Sequence, residues 1–394
     1  MPTDHIIDYP SSADHAGESP PEFDAARGPG PLPRVRLPDG RTAWLVTRHE
    51  DVRTVLAGGS FTRDFSEPRE GGSGGANPVR TVNMDGPPHL ELRGLVSRAF
   101  TVRRVEAMRP RVQEVTDRLL DAMEEQGPPA DLVRHLAAPL PSIVICELLG
   151  FPHADHAMLG DWCDRITAVG GEGLDQSAGR ELGAYIDRAV RARRAGAGSG
   201  TDLLSTLVQA HDEEERLGHE ELISLAIVLL AGGLETTQTA ISAGLVRLFR
   251  NPDQLGRLRA DPGLLGPAIE ELLRFQPVID LNRVQKATED VRLGGRLVRA
   301  GDLVQISINA ANRDEDAFSC AARFEIAREP NPHLAFGHGA HHCLGAALAR
   351  AELRAAFATL LRRFPRLDLA VPPESLRWRG GHVTLRLEEL PVTW

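Results

Sequence analysis

Phe336, Gly337, His338, Gly339, Ala340, His341, His342, Cys343, Leu344 and Gly345 form one string that runs straight into a helix-periodic segment. A cysteine just ahead of a helix start meets unpaired backbone N–H groups and the positive end of the helix dipole, and both favour thiolate over thiol. Cys343 is therefore primed as a metal ligand. Gly337, Gly339 and Gly345 remove the Cβ atoms that would keep the backbone off a flat macrocycle, and they allow dihedrals closed to other residues. Phe336 is placed to pack against such a ring. Two other readings compete. His338, His341, His342 and Cys343 could form a zinc cluster, but neighbouring residues cannot all converge tetrahedrally and no second CxxC or HxxxH accompanies them. The string could equally be a glycine-rich connector around an inert, buried cysteine, the usual state of an isolated Cys.

Upstream of this string two further patterns carry chemistry. Glu271 and Arg274 stand i,i+3 on a helix covering about 264–275 that Pro277 ends. Taken alone such a pair is a solvated ion pair worth a few tenths of a kcal/mol. Residues 220–250 read as the longest helix, on the order of 45 Å if continuous, and carry Gly232, Gly233, Leu234, Glu235 and Thr236 near the middle. Two mid-helix glycines cost about 1 kcal/mol each relative to alanine, and they allow a local widening where a small ligand or water enters the backbone ladder. A hydroxyl beside a carboxylate then offers a donor that can be reprotonated. The competing reading is a threonine bonded back to a carbonyl and a glutamate on a helix surface.

The chain of 394 residues is 42% hydrophobic and 25% charged, which suits a compact folded body rather than a disordered or fibrous one. A formal charge of -10 argues against broad nucleic-acid contact, which needs a basic face. The apolar run 222–234 is too short to span a bilayer and is bounded by Glu220, Glu221 and Glu235, so it reads as a buried helix and no membrane is expected. Residues 1–20 hold Asp4, Asp8 and Asp14 and no basic segment followed by an apolar core, which places the protein in the cytoplasm. Cys146, Cys163, Cys320 and Cys343 lack the density and spacing of a disulfide framework, in keeping with a reducing compartment.

Secondary-structure periodicity gives an order of sheet, many helices, sheet. Runs at 32–37 and 42–47 flank Pro38, Asp39 and Gly40 and read as a hairpin. Residues 61–83 contain Gly71, Gly72, Ser73, Gly74 and Gly75 and read as a long loop of the kind that is functional or mobile. About seven helices follow between 87 and 250, broken at Pro128–Pro129, at Pro152 and at 196–200. Two β-like runs, 291–298 and 303–308, are separated by Ala300, Gly301 and Asp302, and a last helix over 344–363 precedes a terminal hairpin within 376–394. The expected fold class is mainly α with small β-sheets (α+β), as one domain over 1–394, with a helix-rich body at about 87–276 and 343–363.

The string at 336–345 resembles the haem-binding loop of the cytochrome P450 family, FGxGxHxCxG, at each fixed position. The likeness runs from about Ala43 to the C-terminus. Glu271 to Arg274 is similar to the family's ExxR pair, and Gly232 to Thr236 to its (A/G)GxE/DT box. The resemblance implies a triangular helical body around a buried haem b (iron protoporphyrin IX), with Cys343 on the iron and Phe336, Gly337 and Gly345 against the ring. It implies His89, Arg93, Arg283 and His338 as partners of the haem propionates. His89 and Arg93 also lie i,i+4 on a helix starting near Pro87 and Pro88, so both project from one face. Thr236 would hydrogen-bond dioxygen and Glu235 relay protons; peroxide-driven members replace this acid–alcohol pair. A second arginine from the segment before the Cys loop, Arg323 or Arg328, would complete the Glu271–Arg274 network, although Cys320, Ala321 and Ala322 stand where relatives usually carry proline.

The activity implied is that of a ferredoxin-dependent monooxygenase using O2 on a small organic secondary metabolite, by hydroxylation or epoxidation of a polyketide or macrolide-type compound. Its substrate pocket would be built from the 61–84 loop with Met84, residues 168–175, Leu229, Gly232, Gly233, Val278, Asp280, Asn282 and His382. Electrons would come from a ferredoxin and a ferredoxin reductase, and Arg98, Arg103, Arg104, Arg109 and Arg111 offer either a docking patch or a solvated helix face. A monomer is expected. The alternative is a catalytically silent haem-containing binding module of the same fold, which the presence of both Thr236 and Glu235 disfavours.

Overall fold

The computed structural model describes residues 6–8, 20–28, 30, 32–37, 39–63, 83–97, 100–167, 176–196, 200, 202–214, 217–279, 284–379 and 384–394. The central helix, His219–Phe249, fixes the architecture. Its N-terminus is closed by Glu221, whose carboxylate accepts the Gly218 N–H at 2.9 Å. It stops at Asn251, whose side-chain amide donates to the Arg247 carbonyl at 2.8 Å, and Pro252 opens the next helix, Pro252–Ala260. At about 46 Å for its 31 residues, it packs against Pro139–Leu149, Ala346–Arg363, His156–Thr167, Gln176–Arg194 and Leu265–Phe275. Among the described residues it is the one helix long and apolar enough to cross a membrane, and most of it is buried inside the fold.

Two apolar cores meet along this helix. Leu222, Leu225, Leu230 and Leu234 belong to one, shared with Gly86–Ser97, Pro139–Leu149, Gln176–Arg194 and Leu203–Glu214. Ile241, Leu245 and Leu248 belong to the other, shared with Val102–Gln126, Leu265–Phe275 and Ala346–Arg363. Between them burial breaks along one stripe: Val228, Thr236 and Ala240 are half-buried and Gly232 is exposed, and apart from Ala231 and Gly233 the residues beside them are buried. Their i+4 spacing puts them on a single helix face. A helix that is apolar all round is buried on all sides, so a solvent-accessible stripe at its middle marks an internal space.

Seven α-helices stand among the described residues between Gly86 and Phe249, in agreement with the periodicity, and the breaks at 128–129, 152 and 196–200 all lie between helices. The paired runs near 32–47 form strands Arg34–Arg36 and Thr42–Val46, antiparallel with Val35 opposite Ala43. They belong to a six-stranded sheet in the order Ile6–Asp8, Arg34–Arg36, Thr42–Val46, Leu303–Ile306, Val284–Ala287, Phe61–Thr62. One expectation is corrected: 291–298 is not a single strand. Gly294 (φ 54°) and Gly295 (φ 75°) fold it into its own hairpin, Val291–Leu293 on Arg296–Val298. Leu303–Ile306 pairs instead with Thr42–Val46, in parallel. At the C-terminus Trp378–Arg379 and Arg386–Leu387 are antiparallel as expected, and Pro391–Thr393 bridges Asp368–Leu369 to Ala130–Asp131.

The helix Ala346–Arg363 carries a fully enclosed acid. Glu352 is 2% exposed and its Oε2 meets no hydrogen-bond partner. Burial pushes its carboxyl up to about 8, from an ordinary 4.5. A carboxyl whose folded value is raised binds its proton more tightly folded than unfolded. Its stabilisation relative to the ionised form is complete below about 4.5 and is lost as pH rises through about 8. Glu352→Gln keeps the shape and cannot ionise. Its unfolding free energy is expected to match wild type near pH 4.5, to gain over it at roughly 1.4 kcal/mol per pH unit, and to level off near pH 8. Melting curves across this range test the point, and a constant difference would refute it.

Candidate active site

Glu271 and Arg274 are not on a solvated face. Both side chains are 0% exposed and joined in a fork, Nε to Oε2 at 2.7 Å and a terminal nitrogen to Oε1 at 2.8 Å. The remaining Arg274 donors reach the carbonyls of Asn312 (2.6 Å), Ala321 (2.9 Å) and Arg323 (3.1 Å). The second arginine is Arg328, whose Nε donates to Glu271 at 3.0 and 3.2 Å and whose terminal nitrogens hold the carbonyls of Ser319, Cys320 and Arg323. Arg323 points outward, 69% exposed beside Glu325, and contributes only its carbonyl. Asn331 and the Glu325 N–H complete the shell on Glu271. This cluster stitches the irregular segment 312–331 to the helix Leu265–Phe275.

The adjacent Glu270 reaches the Cys loop through the residues on either side of it. It accepts from Arg350 at 2.7 Å twice and from the His333 ring at 2.9 Å. Burial alone would raise its carboxyl, but the hydrogen bonds from Arg350 and His333 prevail and hold it down at about 2. The Arg350 guanidinium lies 4.4 Å from the centre of the Phe336 ring. The Phe336 carbonyl in turn accepts the Cys343 N–H at 2.8 Å. Cys343 is thus fixed two residues ahead of the cap, Gly345, of the helix Ala346–Arg363, and its side chain is exposed. Gly337 and Gly339 take φ of 72° and 71°. The reading of three glycines as a cradle for a ring is narrowed: a Cβ on Gly339 would lie 2.6 Å from the Leu56 carbonyl oxygen, so that glycine admits the end of the helix His49–Ala57. Gly345 has an ordinary φ of -79°.

His89 and Arg93 do project together. Arg93 donates to the His342 carbonyl. Burial pulls its guanidinium below the ordinary range while the nearby Cys343 opposes that shift. His89 is buried and stacks on His341, with ring centres 4.0 Å apart. His341 in turn bonds Asp85 at 2.8 Å, and Asp85 also accepts from Thr62 and the Arg63 N–H. Burial and the Arg63 charge depress the His341 ring to about 4. So the loop histidine brought beside His89 is His341 rather than His338, which is half-buried and has no contact with His89 among the described interactions. His341 and Asp85 were both legible in principle, one within the quoted string and the other four residues before His89.

The central helix runs unbroken through Gly232 and Gly233, so no widening of its ladder occurs. Gly233 serves packing, since a Cβ there would meet the Ile145 side chain at 2.8 Å. Gly232 faces open space. Thr236 lies on the accessible stripe and donates to the Gly232 carbonyl at 2.6 Å. Glu235 is 3% exposed and accepts from Thr384 at 2.5 Å. Of the pocket candidates, Met84 and Val278 are half-buried and Leu229 sits in the apolar core behind the stripe. Arg283, Asp280, Asn282 and His382 lie outside the described residues, as do 64–82, 168–175 and Arg98. Within the arginine cluster Arg109 pairs with Glu106, and Arg111 turns to Glu114 and Glu147.

These residues fit a haem. A cysteine exposed at a helix start offers a thiolate donor, small residues on the stripe leave room for a flat ring, and Arg93 with the His89–His341 pair supplies donors for acidic side groups. The comparisons with known proteins agree. A family model described as Cytochrome P450 matches residues 176–262 and 263–382. The chain is 44% identical to a nocardicin C N-oxygenase from Nocardia uniformis subsp. tsuyamanensis, over 98% of both chains. It is 43% identical to a mycinamicin IV hydroxylase/epoxidase from Micromonospora griseorubida, over 92% of both. Among solved structures, the cytochrome P450 hydroxylase of the leinamycin biosynthetic pathway from Streptomyces atroolivaceus superposes with a TM-score of 0.90 at 42% identity, covering 99% of this chain and 100% of that one.

The two arginines give a sharp contrast. Arg328→Ala leaves Glu271 with one of its two cations and is expected to cost about 3–5 kcal/mol, the usual range for breaking a buried pair. Arg323→Ala should stay within about 0.5 kcal/mol of wild type. Denaturant unfolding of the two variants decides it, and equal midpoints would mean that the Glu271 shell does not depend on Arg328.

Proposed function

The chain belongs to the cytochrome P450 family, and from that premise we propose a haem-thiolate monooxygenase that inserts one oxygen atom of O2 into a small secondary metabolite. Family membership brings haem as cofactor and oxidoreductase chemistry. The observation that carries the proposal is the pairing of an exposed Cys343, held by the Phe336 carbonyl, with a half-open helix face bearing Thr236 beside Glu235. When bound, the haem supplies the oxygen-activating iron, and a thiolate ligand favours O–O cleavage.

The chain's own part is to bind, orient and move protons. Cys343 is assigned as iron ligand, with Arg93, His89, His338, Arg283 and, from its position, His341 toward the propionates, and Phe336, Gly337 and Gly345 behind the ring. The Thr236 hydroxyl, now turned to the Gly232 carbonyl, has only to rotate about one side-chain bond to present its proton over the stripe. Glu235, the next residue, is the group that reprotonates it. Hydroxylation or epoxidation of a polyketide or macrolide-type compound is supported by the 43% identity to the mycinamicin IV hydroxylase/epoxidase. Met84, Gly232, Gly233 and Val278 are the described residues assigned to the pocket, with Leu229 behind them and Asp280, Asn282 and His382 completing it. Electrons are assigned to a ferredoxin and its reductase, with exposed Arg103 on the docking side. A cytoplasmic location accords with four cysteines of which none forms a disulfide.

The absorption spectrum of the dithionite-reduced protein under carbon monoxide tests the ligand. A strongly red-shifted Soret band is expected for wild type and its loss for Cys343→Ala; a histidine-like band in wild type would refute the assignment. Thr236→Ala should keep that band and divert electrons from NADPH to hydrogen peroxide, and an unchanged peroxide yield would remove Thr236 from proton handling. Oxygen uptake without oxygenated product for any ligand would favour the silent binding module.

A further inference from the structure

We propose that Thr384 is a positioning residue for Glu235: its hydroxyl, supported from behind by Thr239, holds the Glu235 carboxylate in one orientation and stabilises the charge that develops as Glu235 releases a proton toward Thr236. The proposal rests on the reading of Glu235 and Thr236 as the proton-handling pair. Thr384 donates to Glu235 Oε1 at 2.5 Å, and Thr239 donates to the Thr384 oxygen at 3.2 Å. Exposures are 3% for Glu235, 2% for Thr384 and 3% for Thr239. A hydroxyl has one proton. Because Thr384 spends its own on the carboxylate, its lone pairs are left to accept from Thr239, and the direction of the chain is set.

The anchoring is long-range. Glu235 and Thr239 sit i,i+4 on one face of the central helix, whereas Thr384 comes from the segment leading into the strand Arg386–Leu387. Two residues on, buried Arg386 donates to Asp164 at 2.6 Å on the helix His156–Thr167. Residues 384 and 386 therefore tie one short segment to two helices, and the hydroxyl cannot drift from Glu235 without loosening an ion pair. A buried carboxylate gains most from a donor already in place when its charge appears. A valine at 384 would fill the same space and provide none.

The test uses the haem-loaded full chain with a plant-type ferredoxin, its reductase and NADPH, without added substrate. Reduction of O2 to hydrogen peroxide takes two electrons and two protons, whereas reduction to two waters takes four of each, so slower proton delivery raises the peroxide share. Thr384→Val is expected to raise the peroxide-to-water ratio about tenfold, the effect of losing one charge-assisted hydrogen bond, and to enlarge the solvent isotope effect on NADPH oxidation. Thr384→Ser should restore both. In a Glu235→Gln background Thr384→Val should add nothing. A second readout needs no haem: in thermal melts of the haem-free chain the two substitutions should couple rather than add. Thr384→Val matching wild type, serine failing like valine, or full additivity with Glu235→Gln would each overturn the proposal. If Thr236→Ala also left the peroxide share unchanged, the underlying reading of the pair would fall with it; a normal Thr236 effect beside an inert Thr384 would sink this proposal alone.

Discussion

A carboxylate taken wholly out of water has to be matched by donors, and Glu271 is matched by two arginines, an asparagine and a backbone N–H. The rest of the site follows from that requirement. Residues 312–331 contain little regular structure, so their carbonyls would be left without partners were they not gathered by Arg274 and Arg328. Arg274 takes three of those carbonyls and Arg328 three, with Arg323 shared between them. The chain that emerges from this tangle at Asn331 enters the Cys loop directly, and so the position of Cys343 inherits the rigidity of a buried ion cluster rather than of a helix or strand.

The second constraint is set by what the central helix leaves uncovered. Leu222 to Leu234 lie in one apolar core and Ile241 to Leu248 in the other, and the Val228–Gly232–Thr236–Ala240 stripe opens near the seam between them. Gly233 shows how tightly the flank of that seam is packed, since it has no room for a methyl beside Ile145, while Gly232, one residue away, has nothing within 4 Å of its missing Cβ. Neighbouring glycines on a helix point about 100° apart. One closes the packing with Pro139–Leu149 and the other keeps the internal space clear.

Much of this was legible in the sequence because it rests on local pattern. Cys343 before a helix, the long apolar helix and the hairpin near Asp39 are readable from spacing alone. The fate of Glu271 and Arg274 was not legible from spacing alone, because an i,i+3 pair looks the same on a surface as in a core; it was the likeness to the ExxR pair that pointed to a buried network, and the distant carbonyls of 312–323 show what that network holds. The choice of Arg328 over Arg323 depended on the path of an irregular segment, in which Cys320 takes a φ of 50° and no periodicity guides the reading. His338 was named as a propionate partner and His341, in the same short string, was not, although it is the His341 ring that stacks on His89. The chain takes left-handed turns at Gly337 and Gly339, on either side of His338, and a linear motif does not carry that rotation. Thr384 left no local signal whatever, since its partner is 149 residues away.

Glu270 and Glu271 show why adjacent charges on a short helix need not be redundant. Successive residues on an α-helix diverge by about 100°, so two neighbouring carboxylates address different parts of the fold. Glu271 is sealed and holds the irregular segment, whereas Glu270, 30% exposed on its side chain, holds His333 and Arg350 and through them the Phe336 ring. Phe336 is the meeting point, because its ring is fixed by Arg350 and its carbonyl fixes the Cys343 N–H. One turn of the helix Leu265–Phe275 therefore sets the cysteine from two directions. Cys343 is held in place by charges on an element with which it shares no sequence neighbourhood, and loosening either carboxylate would displace the loop without touching the cysteine itself.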